Sequence, residues 1–389
     1  MKMRDVAIIG VGQTKYGERW DMSLRKLAVE AGLKAIEDAG IYAKDIEAIY
    51  GGNMSSSAVS LQEHVGALIA DYSGLSGMNI PAIRVESASA SGAAAMHEGF
   101  LAVASGMYDT VLVGGVEKMT DIDADEMTDS LMGAADREWE GFVGATFPSL
   151  AAMMARRYMH DYNLKREQMA IFPVNSHRNA SLNPYAHLRN IIKIDDVLNA
   201  TMVAEPLTLM DCAPITDGAS AVILTALDKV KKDSVIKVSA STHASDYLSL
   251  HSRPSITTFN ATVEASKKAY KMAKKEPKDI SLVEVHDAFS IFGVMSLEDL
   301  GFVKKGAAGK FLEEEQIGFD GKLPINTSGG LKAKGHPVGA TGVGQIVEAV
   351  TQLLKKAEKR QVKDPKVALT NNIGGTGASS FVHILEVVK

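Results

Sequence analysis

The stretch IRVESASASGAAAMHEGFLAVASG, residues 83–106, decides how the rest of the chain is read. It begins as a short apolar strand and passes through three alternating serines, Ser87, Ser89 and Ser91, straight into an apolar helix. Such a turn brings free backbone N–H groups and the positive end of a helix dipole to one point, a place for an anion or a nucleophile. Each serine is also a good N-cap, so capping alone accounts for one or two of them. A serine nucleophile at Ser89 needs a base within hydrogen-bond reach. A cysteine there would need less help, because the helix end draws a thiol below its reference pKa of about 8.5. The position suits sulfur better than oxygen.

Working outward, the chain repeats itself. SLRKLAVEAGLKAIEDAG places Leu24, Leu27, Ala28, Ala31 and Ala35 on one helical stripe, with Gly40 as the stop. The segments KDI, EAIYGG and a polar loop follow; past residue 260, NATVEASKKAYKMAKKEP is followed by KDI, SLVEV and HDAFS. Each half then has a Gly/Ala-rich helix, an apolar strand ending in glycines (TVLVGG, KVALTNNIGG) and a matching strand opening (GASAVIL, GASSFVHIL). Four matches in one order predict a duplicated β/α unit of the α/β class. In the second half the glycines almost touch the last strand; in the first, about a hundred residues intervene, as functional insertions do. The predicted organisation is an N-terminal half (1–119 and 206–230), an inserted loop domain (120–205) and a C-terminal half (231–389).

The 389 residues carry a net charge of −5 with the charges interspersed, which argues against nucleic acid as a partner. The basic run Lys267 to Lys278 reads as a solvated helix face. No stretch approaches a membrane span or a signal peptide, and the single cysteine, Cys212, fits a reducing, cytoplasmic setting. GVGQTKYG lacks the glycine turn opening directly into a helix that dinucleotide binding requires. No histidines or acids fall at metal-ligand spacings, so no metal is expected.

Four loops fall at the same end of strands by the repeat: Ser87 to Gly92, His286 to Phe289, Gly335 to Gly342 and Asn371 to Gly377. Loops at one end of an α/β sheet converge on one cleft. His336, set among glycines beside a proline, looks like a positioned acid/base, and His286 is a second candidate. A hydrogen-bonded structural histidine is the bland alternative for each.

At these residues the sequence resembles the thiolase superfamily over essentially its whole length. VESASASGAAA, GGVEKM, DGASAVIL, EVHDAFS, NTSGGLKAKGHPVGATG and NNIGG carry the likeness. It is to archaeal acetyl-CoA acetyltransferases, whose HDxF form is shared with the sterol-carrier-protein type. The resemblance implies a duplicated five-layer αβαβα fold with an inserted loop domain, assembled as a homodimer or homotetramer. It implies condensation of two acetyl-CoA to acetoacetyl-CoA and CoA, feeding mevalonate synthesis, with no cofactor beyond the coenzyme A thioester substrate. HMG-CoA synthase, bridged by a small zinc-ribbon/OB-fold protein, is the implied neighbour.

Carried over residue by residue, Ser89 stands where the family has its acyl-accepting cysteine. His336 would activate that thiol, and with His286 would face a thioester or enolate oxygen. The N–H groups of residue 89 and Gly374 would form a second oxyanion hole. The family's second cysteine, the α-proton base, is replaced by Asn372 in one branch position and by Ala288 in the other, leaving the two histidines as candidates. Ser239, Ala240, Ser241 and His243, in SASTHASDYL, are expected at the pantetheine. An engineered Cys-to-Ser replacement at Ser89 is one explanation; a natural acyl-CoA-binding member that does not condense and a genuine serine nucleophile stay open. Rival functions are a non-catalytic acyl-CoA or lipid binder and a degradative thiolase for longer chains.

Overall fold

The computed structural model describes residues 3–231, 234–314 and 316–388. Strand β1 (Val6–Gln13) leads to helix α1 (Leu24–Ala39). The Ser23 hydroxyl caps α1 by accepting from the Lys26 N–H, and Gly40 ends it at φ 70°, where a residue without Cβ is unstrained. Leu24, Leu27, Ala31 and Ala35 of the predicted stripe are buried, and Ala28 is half-buried. A Cβ on Gly10 would come 2.3 Å from the Ala35 carbonyl oxygen, and one on Gly12 2.3 Å from that of Ala31. Those glycines let β1 approach α1 closely, which accounts for them without a phosphate.

The first half continues with β2 (Ala48–Gly52), β3 (Ala82–Val85), α2 (Ser91–Ala104) and β4 (Thr110–Glu117). The chain then leaves the sheet for an inserted region containing α3 (Phe147–Tyr162), α4 (Arg166–Ser181) and a ribbon, β5 (Met202–Ala204) with β6 (Leu207–Thr208). It returns as β7 (Gly218–Ala226). The second half comprises β8 (Val235–Ser245), α5 (Asn260–Ala273), β9 (Leu282–Glu284), α6 (Ser290–Asp299), α7 (Thr341–Leu353), β10 (Val367–Gly374) and β11 (Ser379–Val388).

The strand order β3-β2-β4-β7-β1-β8-β11-β10-β9 contains the repeat. In the first half β2 pairs parallel with β3 and β4, while β4–β7 and β7–β1 are antiparallel. The second half reproduces this: β9–β10 is parallel, β10–β11 and β11–β8 are antiparallel, and Ile325 bridges parallel to Val283 where β3 would lie. The halves meet through their first strands, Ala7 opposite Lys237 and Ile8 opposite Ile236, antiparallel, so the two sheets form one continuous nine-stranded sheet.

Period-two burial builds the layers. Val111, Val113, Val222 and Leu224 point to a core shared with Met96 and Phe100 of α2 and with Val343 and Ile346 of α7. Their neighbours Leu112, Ala221 and Ile223 face the other way, against α1. Helices α2 and α7 pack on each other, and α5 covers β8 and β11. The result is the duplicated five-layer αβαβα arrangement, with the two central helices starting side by side.

Candidate active site

Residue 89 occupies the turn between β3 and α2. Ala88, just before it, is held at φ 52°, a left-handed conformation that costs an L residue about 1–2 kcal/mol. The flanking serines stabilise this turn. The Ser91 hydroxyl accepts from the Ser87 N–H (3.0 Å) and donates to the Ala88 carbonyl (2.6 Å), while the Ser87 and Ser379 hydroxyls pair at 2.9 Å. None of the three is the N-cap: α2 begins after Ala90, which makes no side-chain cap bond. The expected capping is corrected to a serine clamp around a strained residue. Among the described residues the Ser89 hydroxyl has no hydrogen-bond partner, and it faces a cavity of about 90 Å³.

That cavity gathers three of the four predicted loops by their named candidates, Ser89, His286 and His336, and the fourth through Gly375. Its walls are otherwise apolar: Met54 and Met119 from the first half, Leu131, Ala134 and Phe147 from the insertion, and Phe289 and Phe292 around α6. The two imidazoles meet edge to face, centroids 5.1 Å apart. Burial holds the His336 pKa down to about 3, and burial together with His336 holds His286 well below its ordinary value. Both rings are therefore neutral near pH 7, which leaves one donor and one acceptor nitrogen on each.

Their outer partners assign the tautomers. His286 Nδ1 accepts from the Ile373 N–H at 3.3 Å, so its proton lies on Nε2. Thr341 Oγ1 donates to the Pro337 carbonyl (3.0 Å) and lies 2.7 Å from His336 Nδ1. With its hydrogen committed, Thr341 accepts from His336 Nδ1–H, and His336 Nε2 carries a lone pair. One ring is thus a hydrogen-bond donor and its neighbour a base. Both loops are pinned from behind. Asp287, pushed up to about 6 by burial, accepts from the Leu331 N–H (2.6 Å) and the Ser176 hydroxyl (3.1 Å).

Other candidates lie elsewhere. Asn372 is buried on β10, its amide donating to Gln345 Oε1 at 2.9 Å, and it does not line the cavity. Gly374 adjoins the turn, since a Cβ there would sit 2.6 Å from the Ser87 carbonyl oxygen. Ser239, Ala240, Ser241 and His243 belong to β8, away from the cavity lining. Ser239 donates to Glu386, Ser241 lies between His97 (2.8 Å) and His383 (3.0 Å), and His243 stacks on Phe381. Each is engaged within the sheet, because the segment continues as strand where a loop was expected. Cys212 is buried, its thiol pushed up to about 12 chiefly by burial, as a core cysteine would be.

Sequence reasoning overlooked Thr341 and Glu117. Both lay inside quoted motifs, GHPVGATG and GGVEKM, but a helix-start threonine and a strand-end glutamate carry no signal of what they touch.

With this geometry established, similarity to known proteins is informative. Residues 6–228 match the thiolase N-terminal domain, and residues 242–387 the thiolase C-terminal domain-like family. The chain is 52% identical over 386 residues to an acetyl-CoA acetyltransferase of Methanothermobacter thermautotrophicus, covering 99% of this chain and 100% of that one. It is 50% identical to the acetyl-CoA acetyltransferase of Methanocaldococcus jannaschii, covering 99% of each. Among solved structures, one titled Ltp2-ChsH2(DUF35) aldolase superposes with a TM-score of 0.85 over 98% of both chains, at 24% identity. The chain belongs to the thiolase family.

Proposed function

We propose that this chain is an acetyl-CoA C-acetyltransferase, joining two acetyl-CoA into acetoacetyl-CoA and CoA through an acyl-enzyme at residue 89. The observation that carries the reading is the meeting of residue 89 with a basic and a donating imidazole in one small apolar cavity. With cysteine at 89, His336 Nε2 takes the thiol proton and the thiolate attacks the acetyl carbonyl. The CoA thiolate leaves and takes that proton, restoring the neutral ring. The α2 N-terminus and the N–H groups of residue 89 and Gly374 stabilise the oxyanion. A second acetyl-CoA then loses an α-proton. Among the described residues lining the cavity, His336 Nε2 is the free base and His286 Nε2–H the donor for the enolate oxygen. The enolate carbon attacks the acyl group, and the residue-89 thiolate departs and takes the proton back from His336, restoring the thiol and the neutral ring.

A serine hydroxyl is a far weaker nucleophile near neutral pH, and an oxygen ester is no isoenergetic stop between two thioesters. We read Ser89 as standing in for cysteine, with the chain as given inactive. The archaeal acetyl-CoA acetyltransferases, half identical over full length, support the substrate. CoA-dependent cleavage of acetoacetyl-CoA by this chain and by Ser89→Cys tests it. Turnover by the substituted form alone supports the reading. Turnover by neither favours the second reading, an acyl-CoA-binding member that does not condense, which the partnerless Ser89 hydroxyl supports.

The same reading places the protein in the cytoplasm as a homodimer or homotetramer supplying mevalonate synthesis, beside HMG-CoA synthase and a small zinc-ribbon/OB-fold bridging protein. The DUF35 protein named with the aldolase of the same fold supports a bridging partner. Size-exclusion of the co-expressed proteins without a shared peak would count against it.

A further inference from the structure

The loop that carries His336 belongs to the second half, whereas residue 89 belongs to the first. Acyl transfer needs a fixed distance between them, and one of the contacts that join the two runs through Gly339. The Gly339 carbonyl rests in a groove where Gly92 and Gly115 lack side chains; a Cβ on either would lie 2.6 Å and 2.2 Å from that oxygen. Gly92 stands three residues beyond Ser89, so the groove is part of the same turn and helix. The Gly339 N–H donates to Glu117 Oε2 at 3.0 Å.

Glu117 is fully buried at the end of β4. Its remaining bonds come from one segment, residues 53–55. Oε1 accepts from Asn53 Nδ2 (2.8 Å), the Ser55 N–H (3.0 Å) and the Ser55 hydroxyl (2.9 Å), and Oε2 accepts from the Met54 N–H (2.9 Å). Met54 is a wall of the cavity. One carboxylate therefore ties the end of β4, the Met54 segment and the His336 loop into a single unit. All five partners are donors. Burial pushes the Glu117 carboxyl above its ordinary value while these donors pull it back. An amide of the same shape would turn an NH₂ toward one of the two sets, so only a carboxylate accepts from all of them at once.

We propose that Glu117 is a positioning residue for acyl transfer, seating Gly339 so that His336 Nε2 is presented to residue 89. The proposal rests on the acyl-transfer reading above. It is tested in the Ser89→Cys background, comparing Glu117 intact, Glu117→Gln and Glu117→Asp. The readouts are the pH dependence of iodoacetamide alkylation and the kcat and KM of acetoacetyl-CoA thiolysis. The unsubstituted Ser89 chain supplies the blank for Cys212.

With Glu117 intact, alkylation should have its midpoint below the free-thiol value of about 8.5. Glu117→Gln should raise that midpoint by about one pH unit and lower kcat at least about tenfold, with KM within about twofold, as loss of a positioned base does. Glu117→Asp, which keeps the charge but withdraws it by one methylene, should fall between. Should Glu117→Gln not fold, Gly339→Ala gives the same test with the carboxylate intact. Its Cβ would come 2.7 Å from Glu117 Oε2 and from the Val116 carbonyl oxygen, and it should shift both readouts the same way. A midpoint and kcat that none of these substitutions moves would overturn the proposal alone. An ordinary thiol profile without turnover while Glu117 is intact would overturn the acyl-transfer reading, and the proposal with it.

Discussion

His286 and His336 stand edge to face, their planes at 89°, and their Nδ1 atoms are engaged in opposite senses. Nδ1 of His286 accepts from a backbone N–H and Nδ1 of His336 donates to a hydroxyl. A pair of neutral rings with opposite tautomers supplies a donor and an acceptor within one cavity, so neither ring needs to be charged at rest.

Thr341 is expected to matter through that tautomer. In the Ser89→Cys background, Thr341→Val removes the acceptor for His336 Nδ1–H and should lower kcat for thiolysis by about 10²-fold, the lower end of what a general base supplies. Thr341→Ser keeps the oxygen and should retain most of the activity. Steady-state kinetics of the two variants, with equal loss in both, would remove this role.

Chain-length preference should respond at Phe292. It lines the cavity and packs edge-on against Phe289 (5.2 Å) and Phe259 (5.1 Å). Phe292→Ala should destabilise the fold by about 3–5 kcal/mol, read by urea unfolding. In the Ser89→Cys background it should also raise the ratio of six-carbon to four-carbon 3-ketoacyl-CoA cleavage, measured as kcat/KM. An unchanged ratio would mean the acyl group extends in another direction.

The buried histidines should contribute an acid-sensitive share of the stability. Burial holds His336 and His383 down to about 3 and His97 to about 4. In the unfolded chain each protonates near its reference of about 6.5. Between those values the unfolded state binds more protons at these rings, so their contribution to stability falls as pH drops below about 6.5, by roughly 1.4 kcal/mol per unit per buried ring. The carboxyls of Asp287 and Asp299, pushed up to about 6 by burial, and of Glu284, pushed up to about 7, act in the opposite sense over the same window, so the share of one ring is read by difference. Urea midpoints from pH 7 to 5 should change less steeply with acid in His383→Asn than in the unsubstituted chain.

The Lys118–Asp217 pair is the buried link between the ends of β4 and β7. Its N–O distance is 2.8 Å, and Asp217 also accepts from the Met119 (2.6 Å), Thr120 (3.0 Å) and Arg19 (2.9 Å) N–H groups. Despite its burial, bonds from Lys118, Thr120 and these N–H groups hold the Asp217 carboxyl below its usual range. Asp217→Asn removes the buried one of the two carboxylates on Lys118, leaving the half-exposed Asp121 at 2.6 Å, and should cost about 3 kcal/mol, the low end for a broken buried pair. Thermal unfolding above pH 6, where the carboxylate is ionised in both states, is the measurement.

The duplication was legible because it is written in local signals. Turn glycines, helix stripes and strand openings recur in order, and they placed the loops of Ser89, His286, His336 and Gly375 at common strand ends. What could not be read was which strand lies beside which. β1 is apolar on both faces and β8 mixes apolar with small polar residues, and nothing in either strand names its neighbour, so the edge-to-edge joining of the halves appears only in space. The serines were misjudged for a related reason. A hydroxyl near a helix start, such as that of Ser87 or Ser91, caps or clamps according to the backbone between them, and Ala88 gives no sign in sequence of its left-handed backbone. The SASTHASDYL segment was read as a loop for a like reason: its alternating small residues fit strand and loop alike, and residues 239–245 continue strand β8.

The symmetry of the halves also bears on why, among the described residues, the cavity forms at one turn and not at its twin. Ser89 and Gly339 each stand two residues ahead of a central helix, α2 and α7. In one copy that position lines the cavity; in the other it is buried as a joint against the first copy. Equivalent turns of the two halves thus take opposite surroundings: the first borders open space, and its twin is packed as a peg between β4 and α2.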